Sequence, residues 1–107
     1  MPDFESVRVD ELPEGVFLDV REDYEWEAGH VEGALHIPME QLPARLGELD
    51  PDQDLLVVCR TGGRSARVTA WLVGHGYSAV NVLGGMDAWL ESGRPLVSDN
   101  GQQPTVL

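Results

Sequence analysis

The sequence predicts an α/β domain built on a parallel sheet with helices on both faces. Two observations predict it. Short apolar runs alternate with helix-like stretches along the chain, and the central runs are continuously apolar rather than alternating. Strands buried on both faces read that way, and parallel sheets with crossover helices require such strands. The length of 107 residues suits one domain with its own core. No repeat and no second domain is visible.

The elements follow in order. Val7–Val9 reads as a short first strand, and Asp10–Gly15 as a short helical turn or loop. Val16–Val20 is a compact apolar run after Gly15 and reads as a buried strand. Residues Glu22–Ala28 fit a short helix stopped by Gly29. Ala34–Ile37, ahead of Pro38, reads as a third strand, and Pro43–Leu49 as a helix with proline in its first turn. Leu55–Val58 is the clearest buried strand and ends at Cys59. After Gly62-Gly63, residues Arg64–His75 carry Ala66, Ala70 and Val73 at helical spacing, and Gly76 stands where a helix C′ residue belongs. Ala79–Leu83 is a fifth strand, and Met86–Ser92 a last short helix. The domain is expected over residues 1–97, with 98–107 a loose, polar tail.

Composition limits the function classes. The formal net charge is −12, so a broad basic face for nucleic acid is not expected. No apolar run reaches the length of a membrane span. The N-terminus is short, acidic and mixed, without the pattern of a secretory signal. A cytoplasmic protein with no membrane partner is the expectation. The single Cys excludes an internal disulfide and leaves no Cys pair for a metal, and no cofactor is expected. All seven basic residues are Arg. Leu55–Met86 contains no Asp or Glu, yet it contains Arg60, Arg64, Arg67 and the only Cys. A buried strand and a packed helix leave little room for acids, but that does not account for three Arg so close to Cys59.

Cys59 is the chemical centre of this reading. A strand delivers it to the sheet edge, where ligands of open α/β sheets bind. Two glycines then let the backbone curl. Such a curl aims backbone N–H groups inward as an anion nest, beside a helix N-terminus. These groups favour thiolate over thiol and can lower the free Cys pKa of about 8.5 to roughly 3.5–7.5. The rival reading is an inert core Cys that merely ends a strand. Arg60 and Arg64 add charge if they turn inward; Arg64 could instead be a solvated residue of the first helical turn. Thr61 is expected to act through its backbone, and Arg67 to be structural or field-setting.

The segment Cys59-Arg60-Thr61-Gly62-Gly63-Arg64-Ser65 resembles the active-site loop of rhodanese sulfurtransferases. Leu18-Asp19-Val20-Arg21, Gly29–Pro38 and Leu83–Trp89 resemble three further motifs of that family, in the same order. The resemblance runs from about Val7 to Gly93. It implies a five-stranded parallel sheet of order 1-5-4-2-3. It also implies a double displacement: Cys59 takes sulfur from a small anionic donor such as thiosulfate, then passes it to cyanide or to a thiol, which a protein can carry. In this reading Cys59 is catalytic, and Arg60, Thr61, Gly62, Gly63, Arg64 and Ser65 bind substrate. Arg directly after Cys and again at the loop's end favours a compact dianion. The loop differs from the Cys-Gly-Ser-Gly-Val-Thr form that mercaptopyruvate enzymes resemble.

Asp19 and Arg21 are expected to tie the sheet edge by hydrogen bonds rather than touch substrate. His30 and His36 are expected to be structural, since thiolate attack on sulfur needs no proton transfer. Other readings stay open. A Cys-dependent phosphatase or arsenate reductase generally carries Arg six positions after the Cys, where this chain has Ser65. A regulatory rhodanese-like module typically lacks the Cys. A persulfide relay would use the same chemistry with a protein acceptor.

Overall fold

The structure, a computed structural model, describes residues 3–107; Met1 and Pro2, at the start of the expected domain, lie outside the described residues. Five strands form one parallel sheet: β1 (Glu5–Val7), β2 (Val16–Asp19), β3 (Leu35–His36), β4 (Leu55–Val58) and β5 (Ala79–Val82). Their order is β1-β5-β4-β2-β3. Four α-helices cover it: α1 (Asp23–Ala28), α2 (Leu42–Arg45), α3 (Gly63–Gly74) and α4 (Gly85–Glu91). The register sets Leu18 beside both Leu35 and Val57, and Leu56 beside both Phe17 and Val80.

Alternation along β4 builds both cores at once. Side chains of successive strand residues point to opposite faces. Leu55, Val57 and Cys59 join a cluster with Val68 and Leu72 of α3 and Leu42 of α2. Leu56 and Val58 join the opposite cluster with Val82, Met86 of α4 and Val9. Each fully buried Leu or Val stabilises the fold by roughly 1.5–3 kcal/mol. The same alternation puts the Cys59 side chain on the α3 side, in phase with Val57.

Most boundaries fall within a residue of the sequence expectation, and three stretches differ by more. The first strand is Glu5–Val7, and Val9 has already left it in a short 3-10 turn, Val9–Glu11. Val7 is the last residue that can pair with Val82, and Val9 is buried in the second cluster instead. The helix expected over Pro43–Leu49 is three short turns, Met39–Gln41, Leu42–Arg45 and Leu46–Glu48. Pro43 has no N–H to offer, and Gly47 weakens helical continuation. The segment read as a loose tail is seated on the domain. The N–H groups of Asp99 and Thr105 donate to the carbonyls of Glu27 and Ala28, each at 2.9 Å, and just before them Val97, the last residue of the expected domain, exchanges backbone hydrogen bonds of 2.9 Å with His30. Val106 packs on the second core.

Candidate active site

The loop after β4 is held from below by the start of α4. The N–H groups of Met86 and Asp87 donate to the carbonyls of Cys59 (2.8 Å) and Arg60 (3.0 Å). This close approach needs a residue without Cβ at position 85. Gly85 has φ +55°, and a Cβ there would overlap the Cys59 carbonyl oxygen and lie 2.7 Å from that of Arg60. Gly85→Ala should therefore displace the loop, lowering the melting temperature and slowing Cys59 alkylation together. An unchanged alkylation rate in a folded variant would show that α4 does not set the loop. Gly62 closes the curl with φ +115°, a conformation glycine reaches at little cost.

The Cys59 side chain lies under this curl and is buried. The Gly62 N–H donates to Sγ at 3.1 Å. The Ser65 hydroxyl lies 3.4 Å from Sγ, accepting from the thiol, and itself donates to Asn81 Oδ1 at 2.6 Å. Asn81 Nδ2 in turn donates to the Ser6 hydroxyl at 3.3 Å. Burial pushes the thiol pKa up. The Ser65 hydroxyl and the N–H groups of Ser65, Gly62 and Thr61 pull it down by more, so the net shift is below the ordinary value. For the thiolate to gain the hydroxyl bond, Ser65 must turn its proton from Asn81 to sulfur. Ser65→Ala removes that donor. The midpoint of Cys59 alkylation against pH should then move upward from the wild-type position; a midpoint that stays in place would leave the backbone N–H groups as the whole cause.

The loop residues singled out from the sequence divide into two groups. Thr61, Gly62 and Ser65 turn toward the sulfur, Thr61 through its backbone alone. Gly63 begins α3. The two arginines stand at the rim, each paired with a carboxylate. Arg64 Nη1 and Nη2 donate to Glu25 Oε1 and Oε2 at 2.7 and 3.0 Å. Arg60 Nε lies 3.5 Å from Asp87 Oδ1 in a half-exposed pair. The Arg64 pKa is raised, chiefly by its hydrogen bond to Glu25 and with a smaller contribution from the charge of Cys59. Arg64 has five N–H groups, so a bidentate Glu25 leaves donors for an incoming anion.

Sequence reasoning missed two residues here. Glu25 is buried in α1 and accepts from the Glu22 N–H at 3.0 Å in a capping box. Burial raises its pKa, but the Arg64 hydrogen bond, the Glu22 N–H and the charges of Arg64 and Arg21 lower it further, so the net shift is downward. The spacing Glu22-x-x-Glu25 carried that signal, since a residue at N3 reaches back to the N-cap. Asn81 interrupts an apolar strand, and a buried polar side chain demands a partner. Its partner, Ser65, could not be read from that rule alone.

The other motif residues form a frame. Arg21 and Asp19 are fully buried and paired at 2.7 Å, and Arg21 Nη2 also donates to the Gly29 carbonyl at 2.7 Å. His30 Nδ1 donates to the Trp26 carbonyl at 2.7 Å, and His36 Nε2 to the Arg21 carbonyl at 2.8 Å. The Trp26 ring stacks on both imidazoles, with centroids 3.5 and 4.6 Å apart. Both histidines thus serve as struts between α1 and the segment after it.

Known proteins resemble this chain in sequence and in fold. The sequence profile of the rhodanese-like domain matches residues 7–92. A protein named sulfurtransferase from Allochromatium vinosum is 35% identical over 97 residues, covering 90% of this chain and 91% of that protein. The crystal structure of a rhodanese-related protein from Thermoplasma volcanium superposes with a TM-score of 0.84 at 33% identity, over 88% of this chain and 98% of that one. A thiosulfate sulfurtransferase from Pseudomonas aeruginosa superposes with a TM-score of 0.78 at 25% identity, over 97% of this chain but 22% of that one. The strand order agrees with these likenesses, and the chain belongs to the rhodanese-like domain family.

Proposed function

We propose that this protein is a sulfurtransferase that carries sulfane sulfur as a persulfide on Cys59, with thiosulfate or a similar small anion as donor. The observation that supports this most is the sulfur itself: a buried Cys whose pKa is lowered because N–H groups of a glycine curl and a serine hydroxyl surround it. The Cys59 thiolate attacks the outer sulfur of the donor. A new S–S bond forms, the donor's S–S bond breaks, and sulfite leaves with the electron pair. Cyanide or a thiolate then attacks the terminal sulfur of the persulfide and the thiolate of Cys59 returns, so the cycle is nucleophilic catalysis in two half-reactions.

The surroundings favour a slim donor, since only one sulfur atom has to enter the curl around a buried Cys59. Loop N–H groups that hold the thiolate would also hold the persulfide anion. The chain has no second Cys, so the acceptor comes from outside, either a small molecule or a protein thiol. Arg64, fixed by Glu25 at the rim, is suited to meet the anionic part of the donor. Arg64→Ala should lower kcat/KM for thiosulfate by about tenfold, as expected for one lost charge-assisted contact. The melting temperature should fall as well, because Arg64→Ala leaves the buried Glu25 carboxylate without its partner; an unchanged kcat/KM in the folded variant would place Arg64 outside the donor site.

Intact-protein mass spectrometry after incubation with thiosulfate tests the reading. A gain of one sulfur atom on Cys59, lost on adding cyanide with thiocyanate released, is the expected result. A folded, reduced protein that gains no sulfur from thiosulfate would overturn the donor assignment.

A further inference from the structure

A groove of about 450 Å³ runs between α2 and α3, away from the sulfur loop's own contacts. Met39, Leu42 and Pro43 form one wall, and Trp71 stands on the other. Its volume and apolar lining are those of a small-molecule site. Three residues of α3 line it at helical spacing: Arg67, Trp71 and, just past the helix end, His75. Residues four apart share one face. Eight residues at 1.5 Å rise give the stripe a length of about 12 Å. His75 is turned back on the helix, its Nδ1 on the Trp71 carbonyl at 2.7 Å and its ring 4.1 Å from the indole. Gly74, an exposed residue of the last helical turn, lines the groove beside them.

The charge of this groove is unusual for this chain. No carboxylate lines it, although the protein has 19 acidic residues. Arg8, Arg21, Arg45, Arg60 and Arg64 are each paired with a carboxylate. Arg94 lies over the Trp89 ring. Among the described residues, Arg67 alone among the arginines has neither a carboxylate nor an aromatic ring as partner. It sits at the end of the groove nearer the sulfur loop, one helical turn beyond Arg64.

We propose that this groove binds an amphiphilic organic anion. Its carboxylate or sulfonate head meets the Arg67 guanidinium, and its apolar body of about eight to ten carbons lies along Trp71 against Met39 and Leu42, matching the length of the stripe. Apolar area removed from water supplies the attraction, and the unpaired cation sets the preference for an anion. This site does not depend on the persulfide cycle.

Decanoate and the neutral 1-decanol serve as probes for calorimetry and amide chemical-shift mapping on the full chain at 0.15 M salt. Decanoate should bind saturably, shift amides of α2 and α3, and bind at least about fivefold more tightly than decanol, the gain of one charge-assisted contact. Arg67→Gln should remove that preference and leave decanol binding unchanged. Gly74→Leu places a bulky side chain of a good helix former on the groove lining and should abolish binding of both probes without lowering the melting temperature. Equal affinity for the two probes, shifts confined to another surface, or decanoate binding that survives both substitutions would overturn the proposal. Self-association that Gly74→Leu abolishes, without decanoate binding, would overturn it in favour of a second copy of the chain.

Discussion

Cys59→Ser should yield a folded protein that takes up no sulfur. Oxygen replaces sulfur with little change of volume beneath Val57 and Val68 in the first core, so the core should close around it. The Ser hydroxyl can take the place of the thiol beside Ser65 and the Gly62 N–H. What it cannot do is hold a transferable sulfur, because the proposed cycle stores the sulfur in an S–S bond. Activity with thiosulfate and cyanide should fall to background, while the melting temperature stays within a few degrees of wild type. Mass spectrometry checks the first half-reaction and thiocyanate release the second. Residual turnover in Cys59→Ser would sink the persulfide mechanism, because no other Cys exists to carry it.

The second large effect is on stability. Asp19 Oδ1 and Oδ2 accept from Arg21 Nε and Nη2 at 2.9 and 2.7 Å, with both side chains out of solvent. Asp19 Oδ1 also accepts the Arg21 backbone N–H at 3.1 Å. Arg21 Nη1 is the one buried side-chain nitrogen or oxygen without a hydrogen-bond partner among the described residues, and Glu25, whose carboxylate also feels the Arg21 charge, is already bonded to Arg64. Asp19→Asn keeps the shape and removes the charge. Breaking a buried pair from one side costs about 3–5 kcal/mol, because the remaining charge stays buried. For a domain of this size that is a fall of more than about 10 °C in melting temperature. The double variant Asp19→Leu/Arg21→Met removes both charges and should recover part of the loss. A single variant that melts within about 2 °C of wild type would show that the pair is dispensable. Since Arg21 also holds the Gly29 carbonyl at 2.7 Å, the loss should loosen the end of α1. That helix carries Glu25, the partner of Arg64. A weaker Arg64 anchor, seen as a raised KM for thiosulfate, should accompany the instability.

Acid should release the same anchor. The Glu25 carboxyl is held below its ordinary pKa: burial opposes the shift, and Arg64, the Glu22 N–H and the Arg21 charge together outweigh it. A carboxylate depressed in the folded state stabilises the fold above the unfolded pKa, and loses that contribution as pH falls through the folded one. The pair therefore persists through neutral and mildly acidic solution and opens only below the usual carboxylate range.

The sequence alone determined those features that depend on near neighbours. The run Leu55–Val58 is apolar throughout, so it had to be a strand covered on both faces, and Cys59 had to stand at its end. Gly62-Gly63 had to break the chain there, and α3 followed from helical spacing up to Gly76, which takes φ +85° as its terminator. Strand order was legible through family resemblance, not through periodicity. Tertiary structure decided what each charge near the sulfur does. Arg64 meets Glu25 from 39 residues away, and Ser65 meets Asn81 across 16. Both are side-chain contacts between elements, and local spacing leaves side-chain direction free. Gly85 reads as a turn residue until the carbonyls of Cys59 and Arg60 are seen against it. The terminal segment reads as unanchored because its hold on α1 runs mainly through backbone hydrogen bonds, which every residue but proline can donate and no composition records.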